Sequence, residues 1–233
     1  MGKETIVFLV RHCQGEGNVD GRLYGRTDHQ VTEEGRRQLE VFAKLMAPVP
    51  LDAVYTSPLA RAKATAEAGN LYHGAPLFLD EGLIEADFGE LDGQVFEEFA
   101  RRFPEVMAAW RDTPWDVQYP GGESTKEIRK RTKESFWRCV NENRGKVLLL
   151  ASHGSALRAL MSELSDLGVE EGTKQAPRLR NTALSCYAVS DDDQITAIFL
   201  GKEDHLEPEK AEALLNGLLD EEILAITKRI QER

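Results

Sequence analysis

The sequence of 233 residues contains only three cysteines, Cys13, Cys139 and Cys186. They form no even set and match no zinc spacing, so neither a disulfide framework nor a structural zinc site organises the chain. Long apolar runs are also lacking. None approaches the roughly 20 residues that a membrane helix needs. No basic segment and separate apolar core precede the first strand-like run, so no secretory leader is expected. Position 6 is Ile rather than Ser or Thr, which fails the myristoylation pattern. A reducing, cytoplasmic setting is the simplest account. Positive charge is scarce: 29 Lys and Arg face 40 Asp and Glu, a net charge of -11. Such a chain repels nucleic acid and anionic membrane in general, and neither is expected as a partner. Repeats and low-complexity linkers are absent as well. A single domain over 1–233 is therefore expected.

What the sequence does have is concentrated at two strand ends. Ile6-Val7-Phe8-Leu9-Val10 is an unbroken apolar run, followed by Arg11-His12-Cys13-Gln14-Gly15-Glu16-Gly17-Asn18. The run reads as a strand buried on both faces. In open α/β sheets the ligand crevice lies beyond the carboxyl ends of such strands. A second run, Val147-Leu148-Leu149-Leu150-Ala151, leads straight into Ser152-His153-Gly154.

Between and after them, strands and helices alternate. Thr32 reads as the N-cap of a helix that Pro48 and Pro50 end. Leu51–Tyr55 is a short strand, Leu59–Ala68 a helix with Pro58 just before it, and Pro76–Leu79 a third strand. The acidic, glycine-containing stretch 80–93 reads as loop. A helical excursion over about 94–143 is interrupted at Pro104, and Ser124 is a good N-cap within it. Asn181–Val189 and Ile195–Leu200 flank an acidic turn and read as a hairpin. A C-terminal amphipathic helix is expected at about 208–232. Its apolar face suits either this chain's own sheet or a second subunit, so a homodimer is one expected state. The pattern implies a three-layer α/β/α sandwich with a mixed, mainly parallel central sheet.

If the two buried strands are neighbours, two imidazoles and a guanidinium converge at one sheet edge. Arg61, early in its helix, is placed to join them. Such a cluster of donors in an acidic protein calls for an anionic ligand. A phosphate suits it, because Arg binds phosphate through paired hydrogen bonds. Two rival phosphate loops fail. A tyrosine-phosphatase loop needs Arg six places after Cys13, where Val19 stands, and no Lys-Ser/Thr pair follows the glycines as a Walker loop requires. A metal site from His12, Cys13 and His153 has no support in spacing.

Leu9-Val10-Arg11-His12 with Asn18 resembles the signature of the histidine phosphatase superfamily, the phosphoglycerate mutase-like family. The likeness continues through Gly21-Arg22, Gly25 and Val31-Thr32-Glu33-Glu34-Gly35. Further matching blocks are Ser57-Pro58-Leu59-Ala60-Arg61-Ala62, Leu83-Ile84-Glu85 with Phe88-Gly89-Glu90-Leu91-Asp92-Gly93, Pro120-Gly121-Gly122-Glu123-Ser124, and Ser152-His153-Gly154. The resemblance implies a phosphoglycerate mutase-like fold and a metal-independent phosphomonoesterase. It implies His12 as the nucleophile that forms a phosphohistidine, with Arg11, Arg61, His153 and Asn18 on the phosphoryl oxygens. Glu85 would protonate the leaving alcohol and then activate water. Side chains supply the cations, so no metal or other cofactor is called for. The implied partner is a small phosphomonoester, alpha-ribazole phosphate or a sugar phosphate. A phosphoglycerate mutase-type transfer and a weakly active regulatory relative are the alternatives.

The chemistry fits those residue types. Neutral imidazole attacks near pH 7 if its other nitrogen donates to a carbonyl or carboxylate. Pocket walls are expected from 19–30 and 86–120, with Tyr24 and Gly25 as candidate substrate contacts. Two departures stand out: Cys13 replaces the family's usual Gly, and Gly15 its frequent Thr or Ser. The first is expected to shift the phosphate loop slightly and the second to remove a hydroxyl from it. His29, His73 and His205 read as surface residues.

Overall fold

The computed structural model describes residues 3–232. Its centre is a six-stranded sheet in the order β3-β2-β4-β1-β5-β6. The strands are β1 (Thr5–Arg11), β2 (Ala53–Thr56), β3 (Leu77–Leu79), β4 (Val147–Ser152), β5 (Leu184–Val189) and β6 (Ile195–Lys202). The first four run parallel, and the β5–β6 hairpin adds antiparallel to β1. The apolar alternation of β1 feeds two cores. Ile6, Phe8 and Val10 pack on one face, Val7 and Leu9 on the other. A strand covered on both sides cannot alternate with polar residues, which is why the run reads as continuous.

One face is covered by α1 (Glu33–Met46) and α2 (Ala60–Gly69), the other by α5 (Thr125–Glu142) and α6 (Gly154–Glu163). Thr32 caps α1 by accepting from the Gly35 amide, and Ser124 caps α5 in a reciprocal capping box with Glu127. The excursion before α5 holds α3 (Phe96–Arg102) and α4 (Pro104–Asp112), with Pro104 in the first turn of α4. It builds a third core from Ala86, Phe88, Leu91, Phe99, Val117 and Tyr119. A short α7 (Val169–Gln175) follows α6.

The C-terminal segment departs from expectation. Instead of one helix at 208–232 there are two, α8 (Pro208–Leu215) and α9 (Glu221–Gln231). The break is a Schellman stop: the Gly217 amide bonds Leu214 O, the Leu218 amide bonds Ala213 O, and Gly217 sits at φ 88°. Asp220 then caps α9 through the Glu222 and Ile223 amides. Apolar residues from both helices pack on the α1 face of the sheet.

Candidate active site

The pairing of β1 with β4 aligns Arg11 with Ser152, so the residues that follow each strand emerge side by side. The His12 amide donates to Ser152 O at 2.9 Å. The imidazoles of His12 and His153 lie with centroids 5.0 Å apart. Both rings are buried. Burial, then the charges of Arg11 and Arg61, hold the His12 pKa well below the ordinary histidine value. His153 is depressed in the same way, by burial and then by His12 and the two arginines. Both rings are therefore neutral at pH 7. His12 Nδ1 lies 2.6 Å from Cys13 O, so it carries the proton and leaves Nε2 with a free lone pair. His153 Nε2 meets Ser57 Oγ at 2.7 Å, and its Nδ1 has no partner.

Arg61 is fixed by backbone carbonyls. It donates to Gly25 O at 2.7 Å and Thr27 O at 3.1 Å. Asp92 holds that loop by accepting from the Gly25, Arg26 and Thr27 amides. Arg11 donates to Leu179 O at 2.6 Å. The Nε atoms of both arginines are buried and unpartnered. Asn18 Oδ1 accepts from the Gly15 amide and from Asn181, which leaves the Asn18 amino group free for the cavity.

Glu85 is buried at the N-terminus of α6. Its carboxylate accepts from the amides of Ala86, Ser155 and Ala156 at 2.8–3.1 Å. A Cβ on Gly154 would lie 3.6 Å from Arg11 Nε and 3.9 Å from Glu85 Oε2, so the glycine separates the two groups closely. Arg131 braces the segment before Glu85. It donates to the carbonyls of Gly82, Ile84 and Glu85 and pairs with Glu123.

Arg11, His12, Asn18, Arg61 and Glu85 all line one cavity of about 560 Å³. Of the acids near Glu85 in sequence, only Glu85 is in that wall. His153 sits behind the wall, next to His12. Tyr24 lines the cavity and bonds Asp20 through its hydroxyl. Gly25 does not line it. Its place is set by a close approach, since a Cβ there would meet Ala86 O at 2.3 Å. Phe96, Met107, Trp110 and Trp115 form an apolar wall.

The loop after His12 corrects one expectation. Cys13 is accommodated there with its backbone outside the positive-φ region and its side chain buried. Its amide donates to Thr65 Oγ1 at 2.8 Å, and burial raises its thiol pKa. At Gly15 the space of the missing side chain is filled. A Cβ there would lie 2.2 Å from the His29 ring, and one on Gly17 would lie 2.2 Å from the Tyr24 ring. His29 is thus a cavity residue rather than a surface one.

His205 is also misplaced by the sequence reading, since it is fully buried. Its Nε2 meets Thr182 Oγ1 at 3.2 Å. Thr182 holds φ 58°, a costly region for a β-branched residue. From there its amide reaches Arg11 O and His12 O, and Asn181 donates to His12 O as well. His205 thereby supports the backbone that carries Arg11 and His12. Burial pushes its pKa from 6.5 down to about 4. Between those values the unfolded chain holds the extra proton, so stability falls as pH drops through the window and levels off below it. The loss has an upper bound of about 3 kcal/mol at 1.36 kcal/mol per pKa unit. Urea unfolding at pH 7 and pH 5 should show a lower midpoint at pH 5 and a smaller difference in His205→Gln. An unchanged difference in the variant would remove His205 as a source.

The geometry offers a neutral imidazole, fixed cations and a carboxylate around one cavity. The sequence model of the histidine phosphatase superfamily (branch 1) matches residues 7–198. The chain belongs to this superfamily. Phosphoserine phosphatase 1 of Hydrogenobacter thermophilus is 32% identical over 168 residues, covering 70% of this chain and 77% of the relative. A 2,3-bisphosphoglycerate-dependent phosphoglycerate mutase of Gloeobacter violaceus is 34% identical over 177 residues, covering 73% and 80%. The solved structure of Bacillus stearothermophilus YhfR superposes with a TM-score of 0.82 at 27% identity, over 87% of this chain and all of that one. These relatives support a phosphatase or phosphoryl-transfer enzyme. Sequence reasoning found the superfamily blocks but missed Asn181, Thr182, Arg131 and His29. Only Thr182 leaves a structural mark, its positive φ, and that is invisible in a sequence.

Proposed function

We propose that this superfamily member is a metal-independent phosphomonoesterase acting through a phosphohistidine on a small phosphorylated metabolite. His12 Nε2 attacks phosphorus, the bond to the ester oxygen breaks, and Glu85 delivers a proton to the departing alkoxide. Water then attacks the phosphohistidine as Glu85 takes its proton, and inorganic phosphate leaves. Arg11, Arg61 and the Asn18 amino group hold the three equatorial oxygens, and His153, which does not line the cavity, backs the His12 ring. Such fixed donors act where charge is spread in a loose transition state. The observation that carries this reading is the Nδ1 anchor of His12 on the Cys13 carbonyl. It aims one neutral ring nitrogen among two guanidiniums that have unpartnered Nε atoms.

The phosphoglycerate mutase relative, as similar as the phosphatase one, supports transfer to a second hydroxyl as the other reading. Product analysis separates the two. A panel of sugar phosphates and alpha-ribazole phosphate should release inorganic phosphate and free alcohol in equal amounts without added acceptor. Formation of a rearranged phosphoester with little free phosphate would support the mutase instead.

A further inference from the structure

The cavity holds more positive charge than one phosphoryl group uses. Beyond Arg11 and Arg61, its outer wall includes Arg22, Arg111, Arg129, Arg158 and Arg178, while among the described residues Glu85 is the only carboxylate in the lining. Three of the outer arginines have their own acids. Arg22 lies 3.8 Å from Asp20, Arg111 2.7 Å from Asp112, and Arg129 3.2 Å from Glu163. Arg158 and Arg178 differ. Among the described residues neither has a carboxylate within ion-pair distance; Arg158 donates to Thr173 O at 3.1 Å, and its Nε is buried with no partner. Burial lowers the Arg158 pKa, and the neighbouring charge of Arg178 lowers it further. Arg158, half-buried and with no counter-ion among the described residues, keeps hydrogen-bonding capacity that an anion in the cavity can use, with the exposed Arg178 on the same lining.

Their position relative to the reaction centre is set by α6. Ser155, whose amide bonds Glu85, and Arg158 lie three residues apart and both line the cavity. That spacing puts them on one helix face, about one turn or roughly 5 Å apart along the axis. Tyr119 lies in the wall within reach of both the Glu85 and the Arg158 charges.

We propose that Arg158 and Arg178 form a subsite for a second anionic group of the substrate. The preferred phosphomonoesters then carry a carboxylate or a further phosphate a few atoms from the scissile ester, and neutral sugar phosphates are poorer substrates. This rests on the phosphatase reading of the inner end of the cavity.

Matched substrates test it. Glycerol 3-phosphate and 3-phosphoglycerate differ only by a hydroxymethyl against a carboxylate, and fructose 6-phosphate and fructose 1,6-bisphosphate by a second phosphate. In the parent protein kcat/KM should favour at least one dianionic partner by roughly 10- to 100-fold, the range for charge-assisted hydrogen bonds. The pair that shows the preference identifies the anion as carboxylate or phosphate. The preference ratio should collapse in Arg158→Met and shrink in Arg178→Ala, whose exposed side chain makes loss of folding no concern. Equal kcat/KM within both pairs would overturn the subsite, as would an unchanged ratio in Arg178→Ala and a folded Arg158→Met. p-Nitrophenyl phosphate separates the two claims. Absence of its turnover in the parent defeats the phosphatase reading itself, whereas turnover without any anion preference defeats the subsite alone.

Discussion

Replacing His12 by alanine should lower phosphomonoester hydrolysis by roughly 10⁴-fold or more, the scale on which loss of a covalent nucleophile acts. The two nucleophilic groups next to it are not placed to take over. His153 sits behind the wall with Nε2 on Ser57. The Cys13 thiol is buried, turned away from the cavity and raised in pKa. Rapid quenching of the parent with a labelled phosphomonoester should trap an acid-labile, alkali-stable phosphate on the protein, and the variant should trap none. Equal labelling of parent and variant would move the nucleophile elsewhere. Neither label nor turnover in the parent across a broad panel would favour a regulatory phosphate-binding relative.

Glu85→Gln should have the next largest effect. Loss of a positioned acid costs about 10²–10⁴-fold when the leaving group needs a proton. With sugar phosphates, which leave as alkoxides, the full loss is expected. With p-nitrophenyl phosphate, whose phenolate leaves unaided, the loss in the phosphorylation step should be much smaller. The contrast matters because the variant also disturbs structure. Both carboxylate oxygens accept backbone amides, so one amide would face the new NH₂ group at a cost of about 1–3 kcal/mol. A folding defect would depress both substrates alike. Equal losses on the two would take Glu85 out of the proton-donor role.

Legibility in the sequence followed locality. The two buried strands are plain because a doubly covered strand has no choice but to be apolar along its whole length. Arg11, His12 and His153 stand directly at their ends, where the topology concentrates chemistry. The Thr32 and Ser124 caps are equally local. The break between α8 and α9 is masked in the sequence, although Asn216-Gly217 carries the stop signal, because Leu214, Leu215 and Leu218 keep an apolar stripe going across it. The burial of His205 is illegible in the sequence because its side-chain partner, Thr182, lies 23 positions earlier. Arg131 and Asp92 likewise act on backbone carbonyls and amides of distant loops. A residue that binds main chain leaves no side-chain pattern at the place it supports.

Gly15 and Gly17 show a related economy. At these two positions the loop after His12 has no side chain, and the space is filled by an imidazole and a phenol ring lent by the next loop. The contour of that loop therefore depends on the side chains at positions 24 and 29 as much as on the glycines at 15 and 17.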